Sequence, residues 1–268
     1  AALVDARDEP LDLARTFSLD DRDDELAWFL NRTGFLHVRG VFTADEIAAI
    51  NDDVDRLAAQ ARPGDNESWW ATDPDGNEVL CRLVYAGMRS ARIAALDDDP
   101  RLQRLLTLTG LELRATVDRN EGHSVLLKSA GALRGLANIP WHTDCGLGGH
   151  PVLCPSIAIG VQLTPANADA GRFEVVPGSH GQTCRYGVTT GLGDAPVVGV
   201  DTDAGDVTLH YADVMHASPP PAGAGGRRVL YVTYVNPALF DVIGPGKAIN
   251  DLVRNRQDAA AELARSRL

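Results

Sequence analysis

Three short stretches hold side chains that could do chemistry together. In "IPWHTDCGLGGHP" (139–151), His142 and Asp144 stand two positions apart. On an extended strand, residues i and i+2 project from the same face, so an imidazole and a carboxylate can converge on one ion. In "GDVTLHYADVMHASPPP", His216 follows the apolar pair Val214-Met215 and precedes a proline run that must end any strand. Two histidines and one carboxylate, with the remaining positions open, are the ligand set of non-haem Fe(II) oxygenases. The same three ligands also suit Zn(II) in a hydrolytic enzyme. A third reading is a non-catalytic β-barrel binding module in which the histidines only stabilise turns. His210 competes for the third ligand position, but a strand histidine bonded to backbone is the expectation for it. The third stretch is "RRVLYVTYV", where Arg227 stands eleven residues after His216. An antiparallel return would set Arg227 beside His216. A guanidinium facing into a barrel needs an anion, and a carboxylate fits its planar fork. Arg228 then faces outward by alternation.

Elements must bring these groups together. "DDELAWFLNRTGFLHVRGVF" places Leu26, Phe29 and Leu30 at helical spacing, with Gly34 to end the helix and "FLHVRGVF" to follow as a strand. Thr43 and Glu46 form a capping box before Ile47, Ile50, Val54 and Leu57, which repeat with the period of a helix. "DPRLQRLLTLTG" reads as a short helix that Gly110 could cap. From about residue 111 the texture changes to short β-rich runs between Gly, Pro, Asn and Asp clusters: "SVLLKSAG", "SIAIGVQLTP", "GRFEVVPGSH", "APVVGVDTDAGDVTLHY" and "RRVLYVTYV". That pattern predicts an antiparallel sandwich or barrel. The chain is read as a single α+β, mainly β domain over residues 1–268. It comprises an acidic, loosely packed N-terminal segment (1–25), a helical flank (26–110), a β core (111–240) and a C-terminal tail (241–268).

Bulk properties narrow the class. With 268 residues, 44% hydrophobic and 23% charged, the chain can bury a core of its own. A net charge of −12 repels phosphate backbones and anionic lipid, so neither nucleic acid nor membrane is an expected partner. No apolar run is long enough for a membrane span, and no signal peptide is read at the start. Cys81, Cys145, Cys154 and Cys184 show no CxxC pairing. A reduced, cytoplasmic protein is the expectation. Lysine occurs only at positions 128 and 247, which makes Lys128 conspicuous inside an apolar stretch.

The order and spacing of His142-x-Asp144, "NADAGRFEVVPGSH" (167–180), "GDVTLHYADVMHASPPP" and Arg227 resemble the Fe(II)/2-oxoglutarate-dependent dioxygenases of the phytanoyl-CoA dioxygenase superfamily. "TGFLHVRGVFTADEIAAINDDVDRL" is similar to that family's opening strand and helix, and "LLKSAG" before "PWHTD" to the region leading into its metal motif. The likeness runs from about residue 26 to 236. It implies a double-stranded β-helix, a cupin-like jelly roll, with N-terminal helices outside. It implies that His142, Asp144 and His216 bind Fe(II). Arg227 and Ser218 would hold the distal carboxylate of 2-oxoglutarate, with Lys128 a further cosubstrate contact and "VVPGSH" a structural turn. The chemistry implied is O2-dependent oxidation of an unactivated C–H bond, with release of succinate and CO2. Hydroxylation is the default outcome; desaturation, cyclisation and epimerisation are alternatives. Halogenating relatives replace the aspartate with a small residue, so Asp144 argues against halogenation. The sequence departs from some relatives near Gly160, where they carry an aromatic residue close to the cosubstrate.

The substrate is expected to be a small-molecule metabolite. Candidate contacts are Trp69 and Trp70, which could cover a flat or hydrophobic molecule, and Arg82 and Tyr85 in "CRLVYAG". Arg82 would suit a substrate carboxylate or phosphate, although isolated arginines are mostly surface charges. Residues 62–78 read as a solvent loop anchored by a tryptophan, or as a lid. The turn "CGLGGHP" is expected to form a rim by the metal, with His150 a loop histidine.

Overall fold

In this computed structural model the described residues are 3–5, 7–73, 75–117, 121–129, 138–144, 156–181, 194–222 and 225–238. The elements are α1 (Asp23–Thr33), β1 (Phe35–Val38), α2 (Ala44–Gln60), β2 (Ser68–Thr72), β3 (Glu78–Leu83), α3 (Ala91–Ala94), α4 (Pro100–Thr107) and β4 (Arg114–Ala115). There follow β5 (Ser124–Lys128), β6 (Ile139–His142), β7 (Ser156–Gln162), β8 (Phe173–Val175), β9 (Val198–Val200), β10 (Val207–Tyr211), β11 (His216–Ser218) and β12 (Arg227–Val235).

Both predicted N-terminal helices form for the expected reasons. α1 carries three acids in its first turn, complementing the helix dipole, and stops at Gly34 in the left-handed region (φ 86°). At Thr43 the capping box closes from both sides: its side chain accepts from the Glu46 N–H, while the Glu46 carboxylate accepts from the Thr43 N–H at 2.8 Å.

The strands make two antiparallel sheets. The larger has the order β1-β10-β7-β12-β5-β3-β2, with β4 attached to β12; the smaller is β6-β11-β8-β9. The sheets touch through His210 on β10 and His216 on β11, whose ring centroids lie 4.4 Å apart, and through Phe173 on β8, 5.0 Å from His210. This is the jelly roll of a double-stranded β-helix.

Alternation along the central strands divides the chemistry. Ile157, Ile159 and Val161 on β7, Val207, Leu209 and Tyr211 on β10, and Leu230, Val232 and Tyr234 on β12 join one apolar cluster with Leu26, Phe29 and Leu30 of α1 and Ile47, Ile50, Val54 and Leu57 of α2. The intervening residues face the smaller sheet: Gly160 and Gln162, Thr208 and His210, Arg227 and Tyr231. The apolar side chains of the large sheet therefore pack mainly toward the helices, and its polar side chains gather on the barrel side, beside Phe173 of β8. Arg228 points to the helical side, where it pairs with Asp55 of α2 at 2.7 Å.

Several expectations need correction. The segment before α1 is tied down: Phe17 is buried, its N–H donates to the His37 carbonyl at 2.9 Å, and its carbonyl accepts from Arg39. The region 26–110 is not only helical, because it contributes β1 to one end of the large sheet and the β2–β3 hairpin to the other. That hairpin takes up most of the stretch read as a loop or lid. "APVVGVDTDAGDVTLHY" is two strands in different sheets, β9 and β10, separated by a turn at Asp203–Asp206. β12 does not pair with β11; it pairs with β5, β7 and β4 and faces β11 across the barrel. The tail 241–268 and the rim 145–151, with His150, lie outside the described residues. Among the described residues, no helix is long and apolar enough to cross a membrane.

Candidate metal and anion site

His142 is the last residue of β6 and His216 the first of β11, and the two are direct cross-strand partners. Their ring centroids lie 4.2 Å apart. Asp144 follows two residues after His142, just past the strand end, and its carboxylate closes the group. His142 Nε2 is 3.4 Å and His216 Nε2 3.7 Å from Asp144 Oδ1. One ligand atom from each of the three residues falls within 4.8 Å of the others.

The tautomers suit a cation. His142 Nδ1 lies 2.8 Å from the Pro140 carbonyl and His216 Nδ1 3.0 Å from the Val214 carbonyl. A carbonyl only accepts, so each Nδ1 donates and each neutral ring offers its Nε2 lone pair inward. Burial, reinforced by the neighbouring His142, pushes the His216 imidazole well below its usual range, which keeps it neutral. Burial would raise the Asp144 carboxyl, but the histidines outweigh it and hold the group ionised. Burial also pulls His142 down, and the hydrogen bond and charge of Asp144 reverse this to a net rise. One carboxylate anion beside two imidazoles whose Nε2 atoms face inward fits a divalent cation such as Fe(II) or Zn(II).

Across the barrel is a cationic pocket. Arg227 is 1% and Lys128 3% exposed, and they are direct partners between β12 and β5. Arg227 donates to four neutral oxygens: Ser218 Oγ at 3.2 Å, Gln162 Oε1 and Tyr231 Oη at 3.3 Å, and the Gly171 carbonyl at 3.4 Å. Lys128 Nζ donates to the carbonyls of Ser218 (2.5 Å) and Pro219 (2.6 Å). Among the described residues, neither cation has a carboxylate at ion-pair distance. Two buried cationic side chains facing neutral acceptors fit a bound carboxylate, which would supply the missing counter-charge. Gly171, left-handed at φ 70°, brings its carbonyl to Ser218 and Arg227; a side chain there would strike the Pro219 carbonyl.

An aromatic side chain does stand by Gly160, on another strand. Tyr231 is the cross-strand partner of Gly160, and a side chain added at Gly160 would run into its ring. Gln162 is close to that position in the sequence as well as in the fold, whereas Tyr231 was not singled out in the sequence. Once Arg227 faces inward, Tyr231 four residues later must share its face.

His210 also departs from expectation. It lies within β10, but among the described residues neither ring nitrogen has a hydrogen bond to backbone or side chain. Its Nε2 instead stands 3.4 Å from Asp144 Oδ2.

The proposed substrate contacts divide. Arg82 forms a close ion pair with Glu121, and its guanidinium lies 5.1 Å over the Trp69 ring. An anionic substrate group would have to displace Glu121, so Arg82 is not a free anion receptor. Its charge still bears on His142 and Lys128. Trp69 packs with Ala71, Cys81 and Val84, with Tyr85 against them, whereas Trp70 packs against the main core and donates its indole N–H to Ser68 Oγ at 2.8 Å. The two rings thus belong to different clusters, and they do not together cover one substrate. Tyr85 takes a left-handed backbone (φ 55°) beside Glu121, whose carbonyl accepts its N–H. Cys81 is a free buried thiol, pushed up to about 12 by burial, and is no nucleophile.

Solved structures resemble this arrangement. SnoN, a non-haem α-ketoglutarate-dependent epimerase from nogalamycin biosynthesis, is 25% identical with a TM-score of 0.66, covering 80% of this chain and 83% of that one. SnoK, an α-ketoglutarate-dependent carbocyclase from the same biosynthesis, is 22% identical with a TM-score of 0.66, covering 83% and 87%. EctD from S. alaskensis, solved with 2-oxoglutarate and 5-hydroxyectoine, is 22% identical with a TM-score of 0.67, covering 84% and 81%. The last two speak to fold alone. No curated protein matches the sequence significantly. Residues 30–229, three quarters of the chain, match the family described as Phytanoyl-CoA dioxygenase (PhyH), and the chain belongs to that family of iron- and 2-oxoglutarate-dependent enzymes.

Proposed function

We propose that the chain is an oxygenase that hydroxylates an unactivated C–H bond of a small-molecule metabolite, using Fe(II), 2-oxoglutarate and O2. On this reading His142, Asp144 and His216 hold the iron, and Arg227, Ser218 and Lys128 receive the distal carboxylate of 2-oxoglutarate. The observation that carries it is the buried Arg227–Lys128 pair, without a carboxylate partner among the described residues, together with the cluster of two histidines and an aspartate. Bound iron supplies O2 activation coupled to decarboxylation of 2-oxoglutarate to succinate and CO2, and with it the power to oxidise a C–H bond. The protein orients both ligands and keeps water from the reacting atoms. The pairing of Arg82 with Glu121 supports a neutral or hydroxyl-bearing substrate over a strongly anionic one.

The test is succinate formation that requires iron, O2 and 2-oxoglutarate together. Succinate made without iron, or with zinc in its place, would sink the reading. The likeness to SnoN, described as an epimerase, favours inversion of a stereocentre as the second reading. Labelled O2 separates the two, because hydroxylation leaves one labelled oxygen in the product and inversion leaves none.

Lys128 gives the site a pH signature. Burial first, then the charge of Arg227, pulls its ammonium down to about 7. A carboxylate bound beside it raises that value again, so binding 2-oxoglutarate takes up a proton. Affinity is then full below pH 7 and falls as pH rises toward the raised value of the bound state. Calorimetric titration should show Kd climbing by up to about tenfold per pH unit between 7 and 9, the limit for one linked proton. Lys128→Met should flatten that slope. A flat profile in the wild type would remove Lys128 from the anion pocket.

A further inference from the structure

We propose that His210 is a positioning residue for the metal-binding carboxylate, its Nε2–H donating to Asp144 Oδ2 and leaving Oδ1 to face His142, His216 and the ion. The inference rests on the metal reading above and adds to it a residue outside the ligand set.

The two carboxylate oxygens are divided between the histidines. Oδ1 faces the Nε2 atoms of His142 and His216, at 3.4 and 3.7 Å, while Oδ2 faces His210 Nε2 at 3.4 Å. His210 also differs from the other two in its rear contact. Each of them has Nδ1 fixed by a backbone carbonyl, the arrangement that readies Nε2 as a ligand. His210 lacks that anchor: neither of its nitrogens has a hydrogen bond among the described residues.

A 2% exposed imidazole without partners is costly, and the Asp144 carboxylate is the acceptor in front of it. At 3.4 Å the contact is longer than a good N–H···O bond, and a small shift of the carboxylate toward His210 would complete it. The ring has no freedom to look elsewhere. It sits on a central strand, between the rings of Phe173 (5.0 Å), His216 (4.4 Å) and Tyr231 (6.4 Å). A carboxylate held by one oxygen presents the other in a fixed direction, which favours binding through one oxygen and preserves the open positions the chemistry needs.

The experiment measures metal uptake without turnover. The full-length apo protein is titrated with Mn(II), followed by electron paramagnetic resonance, and loaded with Co(II) for its visible spectrum. His210→Phe removes the donor and keeps a ring; His210→Gln keeps an N–H near the position of Nε2. Mn(II) binding should weaken by about 10- to 100-fold in His210→Phe, the usual scale for losing a partner behind a metal ligand. His210→Gln should recover most of it, with Co(II) bands like the wild type's. His210→Leu, smaller and equally without a donor, gives the same reading if the phenylalanine variant does not fold. Unchanged Mn(II) affinity in the donor-less variants overturns the proposal. So does a glutamine variant as weak as phenylalanine whose Co(II) bands report one imidazole fewer, because His210 would then be a ligand itself. Wild-type protein that takes up no metal at all overturns the proposed function instead, which separates the two failures.

Discussion

His216→Ala is expected to lower succinate formation by roughly a thousandfold or more, the scale of losing several kcal/mol of metal-derived stabilisation. His216 is buried, kept neutral, and fixed through Nδ1 on the Val214 carbonyl, so its only inward function is the Nε2 lone pair. Its cross-strand partner His142 and the neighbouring Asp144 would be left as two ligands. Two ligands hold a divalent ion far more weakly than three. The apo fold should tolerate the change, because His216 stands outside the main apolar cluster. Metal content and thermal unfolding of the apo variant, measured beside the succinate assay, distinguish a lost ligand from a lost fold. Full turnover by a well-folded His216→Ala protein would overturn the ligand assignment.

The second large effect is expected from Arg227→Met. The KM for 2-oxoglutarate should rise more than about a hundredfold, since removing one member of a buried charge pair costs roughly 3 kcal/mol or more. The same substitution should leave the apo protein as stable as the wild type, or more so. Among the described residues Arg227 makes long bonds of 3.2–3.4 Å to neutral oxygens and stands against the Lys128 charge. Methionine fills much of the same volume and relieves that repulsion. Arginine at this position thus costs the empty protein and is repaid when a planar carboxylate meets its fork. Steady-state kinetics across 2-oxoglutarate concentrations, with apo thermal unfolding alongside, checks both halves. An unchanged KM would remove Arg227 from the pocket.

Much of this was legible in the sequence, for reasons specific to each residue. Thr43, Glu46 and Gly34 act within one helical turn, so their signals are local and the helix limits follow directly. The metal-like cluster was readable because His142 and Asp144 lie on one short segment and His216 is marked by the proline run after it. The strand pairing was harder. β11 and β12 are separated by only a short loop, but belong to facing sheets, since neighbours in sequence need not be neighbours in a ladder. The apolar content of "SWW" gave no hint that a bulge between Trp69 and Trp70 and a shared hairpin would send the two rings into different clusters. Nor could composition reveal that Glu121 neutralises Arg82, because that contact joins positions 39 apart. His210 was visible as a histidine, but its lack of a backbone partner exists only once β10 is packed against the smaller sheet.

The division of the large sheet into an apolar outer face and a polar inner face has a consequence for how such a protein can change. Leu230, Val232 and Tyr234 anchor β12 to the helices, while Arg227 and Tyr231 on the same strand face the reaction chamber. Cohesion and reactivity are thus carried by alternate positions of the same peptide. Changes at inward positions bear mainly on the chamber, and changes at outward ones mainly on how firmly the strand is held. Selection for a new substrate and selection for endurance then act on separate letters of one short text, which makes this a permissive frame for diversification.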